Sequence, residues 1–83
     1  MKVTVKYFAS IREAIGVPGE SIDSAAPTLS ALRDELIARG GAHAESLARG
    51  RSVRMALNKD MSDESVALVE GAEVAFFPPV TGG

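Results

Sequence analysis

Hydrophobic and polar positions alternate from the start of the chain. Over Lys2 to Phe8, Val3, Val5 and Tyr7 fall on one face and Thr4, Lys6 and Phe8 on the other, the period-two signature of a half-buried strand. Ser10-Ile11-Arg12-Glu13 fits a capping box, so a short helix is expected next, with Ile11, Ala14 and Ile15 turned inward and Gly16 as its stop. Glu20 to Asp23 carries a fainter strand signal. Pro27-Thr28 opens the main helix with Thr28 as N-cap, and Leu29, Leu32, Leu36 and Ile37 recur at the spacing of one apolar stripe. Glu35 and Arg39 stand four residues apart and are expected to pair on the exposed side. Gly40-Gly41 ends this helix, and a helical turn is expected around Glu45 to Ala48.

Val53, Met55 and Leu57 alternate with Arg54 and Ala56, which predicts a third strand, followed by a turn at Asn58-Lys59-Asp60. Val66 to Val69 reads as a brief strand or turn and Glu70-Gly71 as a tight reversal. The last strand runs from Glu73 to Phe77, with Val74 and Phe76 on one face and Ala75 and Phe77 on the other. Pro78-Pro79 stops it, because neither proline donates to a ladder. The resulting ββαββ order predicts an α+β fold: a mixed sheet covered on one face by one main helix. The first and last strands are the most apolar and are expected to be central neighbours. Residues 1–77 form the folded domain and 78–83 an extended tail.

Composition narrows the functions available. Eighty-three residues make one domain, which buries about 60% of its unfolded surface and has little room for a deep active site. Nine basic and eleven acidic residues are scattered along the chain, with no basic stripe for nucleic acid. There is no cysteine, which excludes disulfides, thiolate metal centres and a cysteine nucleophile. No apolar run approaches membrane-spanning length and the first residues do not resemble a signal peptide, so a cytoplasmic protein away from membranes is expected. Neither GxxxxGK[ST] nor GxGxxG occurs, and no bound cofactor is expected. His43 is expected to be an ordinary surface residue, and Asp60, Asp63 and Glu64 a solvated turn rather than a calcium loop.

The chemistry collects at Pro78-Pro79-Val80-Thr81-Gly82-Gly83. Six extended residues reach roughly 20 Å; the prolines stiffen the stalk, and glycines without Cβ let backbone enter a channel too narrow for other residues. Such an end suits a carboxylate delivered into another protein's active site.

The run Val74-Ala75-Phe76-Phe77-Pro78-Pro79-Val80-Thr81-Gly82-Gly83 closely resembles the small-subunit family of molybdopterin synthase, also called molybdopterin-converting factor subunit 1. Tyr7-Phe8-Ala9-Ser10-Ile11-Arg12-Glu13 and Pro27-Thr28-Leu29 are similar to that family too. Ala72 departs from it, standing where the family often has aspartate. The resemblance implies a ubiquitin-like β-grasp and a sulfur carrier. An E1-like partner would use ATP to adenylate Gly83, sulfur would replace AMP to leave a thiocarboxylate, and the tail would donate that sulfur to cyclic pyranopterin monophosphate. The catalytic side chains would belong to the large subunit, with two large subunits and two carriers in the complex.

On this reading Gly83 carries the sulfur, Gly82 gives the narrow approach, and Thr81 and Val80 fill the partner's channel. Phe8, Phe76 and Phe77 are candidates for docking, and Arg12 is similar in position to a family arginine near the interface. Alternation cannot send both Phe76 and Phe77 inward, so one of them should join Phe8 on the open face of the sheet. Two alternatives stay open: a thiamin-pathway sulfur carrier, against which the Phe-Phe-Pro-Pro run argues, and a ubiquitin-like modifier joined to lysines through Gly83.

Overall fold

A computed structural model describes residues 1–79, over which five strands and three helices follow one another as β1 (Lys2–Tyr7), α1 (Ala9–Ile15), β2 (Gly19–Asp23), α2 (Leu29–Ile37), α3 (Gly41–Leu47), β3 (Arg54–Leu57), β4 (Asp60–Ser62) and β5 (Glu73–Phe77). The strands form one mixed sheet in the order β2-β1-β5-β3-β4. β1 and β5 are parallel neighbours, with Val5 beside Val74 and Tyr7 beside Phe76. β3 lies antiparallel to β5 on its other side, with Met55 opposite Phe76 and Arg54 opposite Phe77. The expected adjacency of the first and last strands is therefore present.

The core lies between the sheet and the helices. Val3, Val5, Tyr7, Met55, Val74 and Phe76 point into it from the strands, and Leu29, Leu32 and Leu36 meet them from α2. Thr28 caps α2 by accepting from the Ala31 amide at 3.1 Å. Ile37, expected on the same stripe, is only half-buried, and Arg33 takes the fourth buried place instead. Its guanidinium reaches past the core to the end of α3, where Nε donates to the Leu47 carbonyl at 2.8 Å and Nη2 to the carbonyls of Ala48 and Arg51 at 2.7 and 3.0 Å. Three carbonyls at and just beyond the C-terminal end of a short helix thus find their donors in one side chain.

Several local expectations need correction. Ser10 does not cap α1. The helix starts at Ala9, and Phe8, still extended, is its N-cap without a side-chain hydrogen bond. The Phe8 amide is already committed to the Phe76 carbonyl at 3.1 Å, so the chain passes straight from sheet to helix through Ala9 at φ 51°. Gly16 ends α1 in the left-handed region as expected. Glu35 and Arg39 do not pair: Glu35 accepts from the Ser24 hydroxyl at 2.6 Å and Arg39 donates to Glu20. The turn expected near Glu45 is the longer helix α3, which begins at Gly41 after a reversal through left-handed Gly40 and Gly41. Asp60 belongs to β4, while Asp63 accepts from the Ser65 amide and Glu64 pairs with Arg33 and Arg49. Val66 to Val69 contributes a single bridge, Thr28 to Ala67. Ala72 is buried in the core.

Candidate functional site

Strand alternation decides which aromatic faces outward. In β5, Val74 and Phe76 point toward the helices and are fully buried, and the Phe76 ring stacks on Tyr7 with centroids 6.1 Å apart. Phe76 is core, which corrects its candidacy as a docking residue: the helices cover its face of the sheet. Phe77 falls on the open face. There its ring stacks on Phe8 at 4.7 Å and 11° between planes, and Phe8 is 38% exposed. Offset-stacked rings hold each other's orientation, so the pair presents one rigid apolar surface.

This surface continues across the sheet. Ala75 and Ala56 are opposite each other on β5 and β3, and Met61 of β4 pairs with Ala56. Met61 is 54% exposed. Phe8, Arg54, Met61, Phe77, Pro78 and Pro79 line a shallow, mainly apolar depression. Phe8, Phe77 and Met61 are its large apolar members, and the buried Ala56 and Ala75 lie on the same face of the sheet. Met61 and Arg54 were not singled out as site residues in the sequence. The three residues of β4 are too short for a periodic signal, and only the antiparallel register places Arg54 beside Phe77. Arg12 is exposed on α1 and shares a neighbouring depression with Phe8, Lys6 and Pro18. The structure therefore groups Phe8, Phe77 and Arg12. Val80, Thr81, Gly82 and Gly83 lie outside the described residues.

The root of the tail sits at the boundary between two surfaces. Pro78 and Pro79 border the open-face depression on one side and, on the other, a groove between α1 and α3 that includes Ile11, Ala14, Ala42 and Arg51. Since β5 has β1 on one edge and β3 on the other, the segment after it departs from the middle of the sheet.

A second polar cluster lies on the helical side. The Tyr7 hydroxyl donates to Glu20 Oε2 at 2.8 Å, Arg39 donates to Oε1, and His43 Nε2 lies 3.0 Å from Oε2. His43 also meets the Tyr7 ring edge-on at 5.8 Å. It is thus part of a packed network, which corrects the expectation of an ordinary surface residue. Burial alone would raise the Glu20 pKa, but donors from Arg39, His43 and Tyr7 outweigh it and hold the carboxyl at about 2. Burial pushes the Tyr7 phenol above its ordinary value, and its hydrogen bond to Glu20 adds to this. Among the described residues no group of three or more His, Cys, Asp or Glu could hold a metal ion, and no helix is long and apolar enough to cross a membrane.

The comparisons agree with this architecture. Residues 5–83 match the model of the ThiS family. The chain is 37% identical to the molybdopterin synthase sulfur carrier subunit of Escherichia coli K12, covering 98% of this chain and 99% of that one. Among solved structures it is similar to small archaeal modifier protein 1 (SAMP1) of Haloferax volcanii, with TM-score 0.78, 25% identity and full coverage of both chains. It is also similar to a chain from the complex of subunits 1 and 2 of molybdopterin-converting factor from Helicobacter pylori, with TM-score 0.70, 28% identity and full coverage of both. With the sheet order above, these neighbours make the fold a ubiquitin-like β-grasp.

Proposed function

We propose, since the chain belongs to the ThiS family, that it works in the cytoplasm as the sulfur carrier subunit of a molybdopterin synthase. The observation that carries this reading is the likeness along nearly the whole chain to a relative of that name. The placement of the tail root beside an exposed apolar face supports it, because a carrier must both dock and deliver its end.

Residues 1–77 are then the docking body and 78–83 the delivery arm. A carboxylate is a poor electrophile, so Gly83 needs activation. In an E1-like partner a Gly83 carboxylate oxygen attacks the α-phosphate of ATP and releases pyrophosphate, leaving an acyl adenylate. The terminal sulfur of a persulfide donor displaces AMP, and a thiol then cleaves the S–S bond, becoming oxidised as the thiocarboxylate is freed. In the large subunit that sulfur forms a bond to a carbon of cyclic pyranopterin monophosphate as a carbon–oxygen bond there breaks. Water hydrolyses the acyl–sulfur bond to restore the Gly83 carboxylate, so each transfer replaces one oxygen by one sulfur. Two transfers complete the dithiolene, and a complex of two large subunits with two carriers supplies both. The chain binds no cofactor of its own: ATP is used by the adenylating partner, and the catalytic side chains belong to the large subunit. Gly82 gives backbone-width access, Thr81 and Val80 fill the channel, and Phe8, Phe77 and Arg12 meet the partner.

The test is the intact mass of the purified chain after incubation with the adenylating partner, ATP and a persulfide source. One oxygen exchanged for sulfur at Gly83 is expected. No exchange, with the partner active on a known carrier, overturns the reading, as does molybdopterin synthesis by a chain lacking Gly83. The likeness to SAMP1 favours one second reading, a protein modifier using the same activated end. Tagged chain in cell extract would then give a ladder of lysine conjugates, and a pure carrier none.

A further inference from the structure

On its middle strands the open face of the sheet carries three cations, Lys2 and Lys6 of β1 and Arg54 of β3, and Lys6 and Arg54 are treated differently. Lys6 on β1 is paired with Glu73 on β5 at 3.4 Å. Arg54 on β3 is exposed and, among the described residues, forms neither an ion pair nor a side-chain hydrogen bond; Arg12 and Arg51 are likewise without one, but only Arg54 lies across the sheet from Phe77. Two acidic groups that share a depression with it have other partners: Asp63 accepts from the Ser65 amide and Glu64 pairs with Arg33 and Arg49.

Arg54 stands directly across from Phe77 and lines the same depression as Phe8 and Met61. A protein that covers the stacked aromatics must therefore cover this guanidinium as well. Removing an unpaired charge from water opposes binding, and a facing carboxylate turns the same group into a directional, bidentate contact. We infer that the surface of the large subunit covering this face presents an aspartate or glutamate opposite Arg54, and that this pair selects which large subunit accepts this carrier. The inference rests on the proposed docking to a large subunit and adds the chemistry of the contact. An apolar group at that point of a partner would leave the guanidinium buried without an acceptor, so a mismatched large subunit is rejected by desolvation.

The test measures binding of the full chain to the large subunit from the same source, at low and high salt, for wild type, Arg54→Leu, Arg54→Glu and Phe77→Ala. Each variant is first checked for folding by circular dichroism. Loss of a buried partner predicts that Arg54→Glu weakens binding by about thirtyfold or more. Arg54→Leu should bind more weakly than wild type and lose part of its salt dependence. Reversing the opposing carboxylate to lysine in the large subunit should restore binding to Arg54→Glu alone. If Arg54→Leu binds as tightly as wild type with the same salt dependence while Phe77→Ala binds poorly, docking stands and the facing carboxylate is overturned. If wild type does not bind, or if Phe77→Ala binds as well as wild type, docking through this face is overturned and this inference falls with it.

Discussion

The Tyr7 hydroxyl donates to Glu20 across the β1–β2 pair at 2.8 Å, and through Glu20 it joins a network that reaches Arg39 and His43 on the helical side. Tyr7 is the only tyrosine and there is no tryptophan, so phenolate absorbance on alkaline titration reports this hydroxyl alone. With the phenol's pKa raised by burial, no phenolate should form as pH passes through the ordinary tyrosine value of 10.0. Absorbance should rise only as the fold is lost. Phenolate at pH 10 in folded protein would show that Tyr7 is open to solvent.

The same network sets the acid limb of stability. Glu20 has its folded pKa depressed from 4.5 to about 2, so its contribution is complete above 4.5 and is lost as pH falls toward 2. Urea denaturation at neutral pH and at pH 3 should show wild type losing about 1–2 kcal/mol more than Glu20→Gln over that interval, allowing for solvent screening. Equal losses in both proteins would remove Glu20 as the cause.

Arg33 should be among the most sensitive polar positions. Arg33→Ala removes the donors of the Leu47, Ala48 and Arg51 carbonyls together and leaves Glu64 without this partner. A loss of about 3–5 kcal/mol is expected from breaking a buried charged network. Arg33→Lys should recover little, since one ammonium cannot reproduce the planar fork. Hydrogen exchange would locate the loosening in α3 and the segment leading to β3.

Adjacent phenylalanines should behave oppositely. Phe76→Ala excavates the core and should cost about 3–5 kcal/mol. Phe77→Ala should cost much less in stability yet weaken docking to the large subunit. Denaturation and binding measured on the two variants separate the roles, and equal stability losses would contradict the assigned faces.

Gly19 should resist even the smallest side chain. A Cβ there would collide with the Val5 carbonyl oxygen inside the β1–β2 pair, so Gly19→Ala should lose about 1–3 kcal/mol as expected for overpacking. A Cβ at Gly50 meets nothing, and Gly50→Ala is the matched control.

Much of this was legible from local pattern, because β1, β5 and α2 are long enough for periodicity and their caps and stops are carried by neighbouring residues. The split of Phe76 from Phe77 was legible too; which one faces solvent depends on the side the helices cover. What escaped was set by contacts distant in sequence. Arg33 looked like a charge beside an apolar stripe until the carbonyls near Leu47 came to meet it. His43 found Glu20 on a strand in the other half of the chain. β4 is only three residues long, held in place by a left-handed turn at Asn58 and Lys59, and without it Met61 had no face to belong to.

The position of β5 in the sheet has a mechanical consequence. A pull on Pro79 is applied to a strand bonded along both edges, so it loads the ladders to β1 and β3 together, along the strand direction, in shear. An edge strand pulled the same way could peel off one bond at a time. A load applied at this end of the domain is thus spread through the centre of the sheet.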